Sequence, residues 1–396
     1  TETGSAQFGV ASGTLTDGQF NTTVVDTVAE SFTITATRQG GGATGVSGVL
    51  TVSHAGAYRV VKSSGDASGV TVGAAQPLEV IVRDLYGNPV PNALVTFATT
   101  GVINDGTFND TSGDPDDGIA ATAANGRALV TFTTSTTAGA NNVNATILDG
   151  NPAARERVTF TVNTVAGGIA YYTVQMSGVT AVAGTTRNVT VTAFDSNDNL
   201  VDDDATQVAL SGDPGVGLVF GTNPVTLSNG AAVTTVRADL VQGYRVRAGN
   251  LPGPTGLGEE VIVSPAAPSG SISATPSPAT ITANGISIST ITSSVIRDAF
   301  TNPVPVGTLI NVNTPVPTNG GVIVGPSARA VGSDGRIVFD LRSSSTPGVS
   351  TVTMASQTGT ATGTVDVTFA PRPTFVAGVP TPGIVVPGAD VSFSVV

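Results

Sequence analysis

The chain has 396 residues, no cysteine, no tryptophan, one histidine and one lysine, and a formal net charge of −12. That leaves disulfide frameworks and His/Cys zinc sites without material and the usual nucleophile–base pairs with almost none, and it gives a phosphate backbone no basic cluster to meet. Only 11% of residues are charged, against about 25% in ordinary soluble domains, so Val, Ile, Leu and Phe must fill the cores and Thr, Ser, Asn and Gly the surface.

Helical periodicity is weak throughout, and short alternating runs bounded by Gly, Pro, Asn and Asp predict an all-β chain. Four runs break at Asp17-Gly18, Asn125-Gly126, Asn229-Gly230 and Asp334-Gly335, with the glycines 108, 104 and 105 residues apart. A period of this size is that of a β-sandwich domain. Residues 1–54 then read as the C-terminal part of one repeat, with residue 1 equivalent to about residue 109 of the next.

The first whole repeat, 55–163, follows the junction His54-Ala-Gly56. Gly73 opens its second strand, and Leu78-Glu-Val-Ile-Val-Arg83 runs into Asp84-Leu-Tyr-Gly-Asn88-Pro-Val90. Asp and Asn side chains bond nearby backbone amides and Asn tolerates a left-handed φ, so the Asp-x-x-x-Asn spacing predicts a turn. Val95-Thr-Phe97 and Arg127-Ala-Leu-Val-Thr-Phe132 alternate, which points Phe97 and Phe132 inward with Phe160.

The same markers recur in repeats 164–266 and 267–370, as Gly184 with Asp195…Asn199 and Gly285 with Asp298…Asn302. Residues 371–396 read as the N-terminal strands of a further repeat, carrying Gly388. Neither terminal fragment can bury its apolar face alone. Either this is a window of a longer array, or the tail of one chain adds strands to the head of the next; that second pairing leaves about one strand missing. Short Ala/Gly/Pro linkers predict semi-rigid neighbours laid out as a rod.

With these markers in hand, the chain resembles the bacterial immunoglobulin-like repeats of the invasin and intimin type. The likeness rests on Val80-Ile-Val-Arg-Asp84…Gly87-Asn-Pro-Val90, Val95-Thr-Phe97, Asn125-Gly-Arg-Ala128, Ala138-Gly139…Val143-Asn-Ala145 and Gly243-Tyr244-Arg-Val246-Arg-Ala248. Asp198-Asn199-Leu200 in one repeat and Thr301 in another depart from the Gly-Asn-Pro pattern. The resemblance implies tandem Ig-like β-sandwiches at the cell surface or outside the cell, in adhesin stalks, surface layers or fibres. It also implies that receptor binding belongs to a separate tip domain.

Candidate chemistry is sparse. His54, the sole histidine, reads as a linker imidazole and not a general base. Two acidic clusters are candidates for calcium, a hard cation that takes six to eight oxygens: Asp110, Asp114, Asp116 and Asp117 in one loop, and Asp195, Asp198, Asp202, Asp203 and Asp204 around a turn. Neither has the EF-hand spacing, and solvated loop carboxylates are the ordinary reading of both. No cofactor is expected otherwise. No run approaches the about 20 apolar residues of a membrane span.

The expected function is a non-enzymatic extracellular rod, part of a surface appendage, filament or adhesin stalk, whose partners are copies of itself. Contact with a host or cell-surface ligand through loops 104–118 and 196–205, or service as an accessory module of a secreted carbohydrate-active enzyme, are the alternatives. Sandwich edges are ordinarily guarded by lysines and other charges, and this chain has one Lys, Lys62. A surface so poor in charge lowers the electrostatic cost of packing one molecule beside another.

Overall fold

The computed structural model describes residues 3–109, 117–148, 157–203, 205–249, 252–314 and 320–373. Their regular structure is all strand, in tandem Ig-like β-sandwiches. Contacts divide the chain into two compact units, one of residues 1–171 with 193–204 and 228–230, the other of the remainder.

In the first unit, residues 3–54 make only short pairs. Gln7–Phe8 lies against Val24–Val25, Ser31–Phe32 against Leu50–Thr51, and Thr35–Thr37 against Thr44–Val46. Ala6 and Phe32 are its buried apolar residues, while Val10, Leu15, Val25 and Val46 are exposed. Asp17 and Gly18 both have positive φ, 52° and 79°, and Thr16 and Gln19 exchange backbone hydrogen bonds across them. This is the two-residue hairpin whose twist matches its strands.

The rest of this unit is a sandwich. One sheet orders Thr107–Asn109, Arg127–Thr133, Ala75–Arg83 and Arg59–Ser64; the other orders Ile119–Ala121, Leu94–Thr100, Gly139–Ile147, Arg157–Val165 and Ala67–Thr71. The first strand changes sheets: Arg59–Ser64 is antiparallel to Ala75–Arg83, and Ala67–Thr71 is parallel to Arg157–Val165. Alternation does the rest. Leu78, Val80 and Val82 point inward beside Ala128, Val130 and Phe132 and meet Phe97 and Phe160 from the facing sheet. Each such aromatic ring contributes about 1.5–3 kcal/mol when fully buried, which lets the core do without a disulfide.

Two more sandwiches of the same plan follow, the first of which shares residues 193–204 and 228–230 with the first unit. In one, Thr180–Val182 runs parallel to Val261–Ser264, and in the other Thr280–Thr282 runs parallel to Thr362–Ala370. The core of the latter gathers Ile291, Ile310, Phe339, Leu341, Val367 and Phe369. Just after each parallel strand comes the repeated glycine: Gly73, Gly184 and Gly285 have φ of 72°, 81° and 78°. Their amides donate to Ser135, Ala238 and Ser344 carbonyls.

The two families of sequence markers meet in space. The carbonyl oxygens of Gly126, Gly230 and Gly335 accept from the amides of Val82, Ala193 and Ile296. Those residues stand two before Asp84, Asp195 and Asp298, so each Asn-Gly or Asp-Gly bend buttresses an Asp-x-x-x-Asn turn.

Candidate functional site: a turn that grips the preceding repeat

Each Asp-x-x-x-Asn segment is a closed hairpin loop. Gly87, Asp198 and Thr301 donate their amides to the carbonyls of Asp84, Asp195 and Asp298, and each of those Asp amides donates to the carbonyl of its Asn. The left-handed residue is the one before the Asn: φ is 94° at Gly87, 64° at Asp198 and 70° at Thr301. The expectation that Asn supplies the left-handed φ is therefore displaced by one position. Asn has a different task.

The Asp carboxylate organises the loop. Asp84 Oδ1 accepts the amides of Tyr86 and Asn88 at 2.9 and 2.8 Å, and Oδ2 accepts the Ala55 amide and Asn88 Nδ2, both at 2.9 Å. Asp195 takes Asn197, Asn199, Gly167 and the Asn199 side chain, and Asp298 takes Phe300, Asn302, Ala266 and the Asn302 side chain. Ala55, Gly167 and Ala266 are linker residues, so the carboxylate fixes where the chain enters its repeat. All three carboxylates are at most 4% exposed.

Burial pushes these carboxyls up. The hydrogen bonds, led by the Asn side chain and followed by the linker and turn amides, outweigh it and hold all three below the ordinary carboxylate value of 3.8. A carboxylate that accepts several N–H donors is stabilised as the anion.

The Asn side chain reaches backward into the preceding repeat. Asn88 Nδ2 donates to the Thr27 carbonyl and Oδ1 accepts the Ala29 amide, both at 2.9 Å. Asn199 does the same to Thr136 and Ala138 at 2.8 Å. Asn302 does so to Asp239 at 2.7 Å and Val241 at 3.1 Å. One amide thus bonds the C=O of residue k and the N–H of residue k+2, the pattern a neighbouring strand would use. Asn199 and Asn302 are 9% and 6% exposed, so both bonds are largely shielded from water.

The calcium candidates take varied places. Asp110, Asp114, Asp116 and Asp204 lie outside the described residues. Asp117 accepts the Ile119 amide at 2.8 Å, and Asp198 accepts the Tyr171 hydroxyl at 2.6 Å. Asp202 is exposed and Asp203 half-buried, and Asp195 is the buried loop organiser. Among the described residues, no group of three or more His, Cys, Asp or Glu side chains is placed to hold a metal ion. His54 is half-buried with Nδ1 2.9 Å from the Ala55 carbonyl.

The residues that sequence reasoning missed are the receivers: Thr27 and Ala29, Thr136 and Ala138, Asp239 and Val241. They act through backbone groups, so residue type carries little signal there. Their regular place nine to twelve residues after Gly18, Gly126 and Gly230 is what marks them.

No protein-family model matches the chain, and no curated protein matches it. Solved structures similar to it include FdeC, described as an adhesin of Escherichia coli, at 18% identity and a TM-score of 0.46, over 78% of this chain and 99% of that one. Yersinia pseudotuberculosis InvD is similar at 15% identity and a TM-score of 0.39, over 76% and 94%. Invasin, described as a bacterial integrin-binding protein, is similar at 18% identity and a TM-score of 0.37, over 80% and 61%. At such identities no function transfers, and the fold assignment stands on the chain's own sheet pairing.

Proposed function

We propose that this chain is a non-enzymatic extracellular structural protein, a series of Ig-like sandwiches belonging to a cell-surface appendage, filament or adhesin stalk. The observation that carries this reading is the thrice-repeated junction, in which a buried Asp and its Asn tie the linker, the turn and the preceding repeat together. A protein that only needed to tether domains would do so with a flexible linker. Here the three described junctions are stitched by side chains, as an element that transmits force or holds spacing requires.

The described edges bear on how copies would meet. Thr107–Asn109, Ile119–Ala121, Val322–Val324 and Ala328–Ala330 are three residues long. Lys62, the only lysine, sits where Arg59–Ser64 bulges against Ala75–Arg83. Short and bulged edges oppose strand-to-strand pairing at those places, while the six-residue edge strand Tyr171–Met176 is not guarded by shortness.

Electron microscopy of the native material is the test. Ordered polymers or arrays support the structural reading. Monodisperse particles that bind a glycan or a cell-surface receptor through loops such as 196–205 would replace it with a ligand-binding adhesin.

A further inference from the structure

The three turns share their Asp and Asn but differ at the residue two after the Asp: Tyr86, Asn197 and Phe300. Tyr86 is 60% exposed and Asn197 is exposed as well. Phe300 is not. Its ring packs against a core cluster of the preceding sandwich formed by Ala181, Ala183, Ala238, Tyr244, Val261 and Val263.

The place where the ring lands is a glycine. A Cβ on Gly184 would stand 2.2 Å from both Cε2 and Cζ of Phe300. At Gly73 and Gly285, which open the same strand in the other sandwiches with nearly the same φ, nothing lies within 4 Å. The left-handed conformation accounts for glycine at all three positions. The close approach of an aromatic ring is particular to Gly184.

The cluster Phe300 joins is small and rich in alanine, with Met176, Leu218 and Ala266 only partly buried around it. A phenyl ring from the next repeat therefore adds apolar area to this cluster, beyond the sandwich's own buried residues such as Val189, Val191, Leu227 and Val246. Asn302 and Asp298 hold the ring's backbone in place through Asp239, Val241 and Ala266.

We propose that Phe300 completes the core of the sandwich at 164–266, so that this repeat is more stable with its successor docked than without it. The junction is then an energetic coupling between repeats as well as a stitch. It is a property of the fold and holds whichever surface role the chain has.

Hydrogen exchange on the whole chain tests this. Phe300→Ala is expected to speed amide exchange about tenfold in Thr180–Val182 and Val261–Ser264, strands of the other repeat, as loss of part of a buried ring would. Phe339→Leu, a change inside the core of 267–370, is the control and should leave those two strands near their original rates. Gly184→Ala completes a cycle: it should speed exchange in Thr180–Val182 more in the original chain than in the Phe300→Ala background. Unchanged rates in the two strands after Phe300→Ala, or additive effects of the two substitutions, would overturn the proposal.

Discussion

A carboxamide is a peptide group on a short stalk, and the three turns use it as one. Asn302 satisfies a C=O and an N–H of the preceding repeat with a single planar group while also donating to Asp298. Replacing it by Ala strands the Val241 amide and removes a donor from a buried carboxylate. Asn302→Ala is expected to cost about 1–3 kcal/mol, read as a lower urea midpoint for the transition of that repeat. Asn302→Asp should cost more, because it sets a second anion 2.9 Å from Asp298 where a donor stood. The neighbouring position predicts the opposite sign. Thr301 is β-branched at φ 70°, and a left-handed residue other than glycine costs about 1–2 kcal/mol. Glycine loses part of that gain to unfolded-state entropy, so Thr301→Gly should stabilise by about 0.5–1 kcal/mol. Asp198→Gly should gain less, because it also gives up the hydrogen bond from Tyr171.

Among the elements, the Asn-Gly and Asp-Gly bends are not all alike. Gly18 and Gly126 are both left-handed, at 79° and 74°, yet a Cβ on Gly18 meets nothing within 4 Å while one on Gly126 would sit 2.7 Å from the Val82 carbonyl oxygen. Gly18→Ala therefore bears backbone strain alone, and Gly126→Ala must also break the contact that props the Asp84 turn. Thermal melts should show the second substitution lowering the midpoint clearly further than the first. The strands themselves were legible, because alternation in Leu78–Arg83 and Arg127–Phe132 maps directly onto inward and outward faces. The turn at Asp84–Asn88 was legible as well, because its chemistry is local. What stayed hidden was the destination of the Asn side chains, 59 to 63 residues back in the chain. Their partners are backbone groups, which place no demand on residue type, so a reading by residue type passes over them. The Phe300 contact was hidden for a related reason: Tyr86 and Asn197 share its place in the repeat and do not make it.

For the molecule as a whole, acid should act in two separable stages. The sequence pI is about 4.3, so what net repulsion exists between copies at neutral pH vanishes there. Asp84, Asp195 and Asp298 are still ionised at that point, since their folded pKa values lie below the ordinary 3.8. A depressed folded-state pKa adds stability that is complete above the unfolded value and is lost as pH falls through the folded one. Light scattering should therefore rise near pH 4.3 while the β signal in circular dichroism persists. The fold should weaken only below the ordinary aspartate value, as the three buried carboxylates take up protons and release their linkers. If the β signal fell first, with scattering following, stability would reside in carboxylates other than these three, and the junctions would not be the acid-sensitive points of the chain.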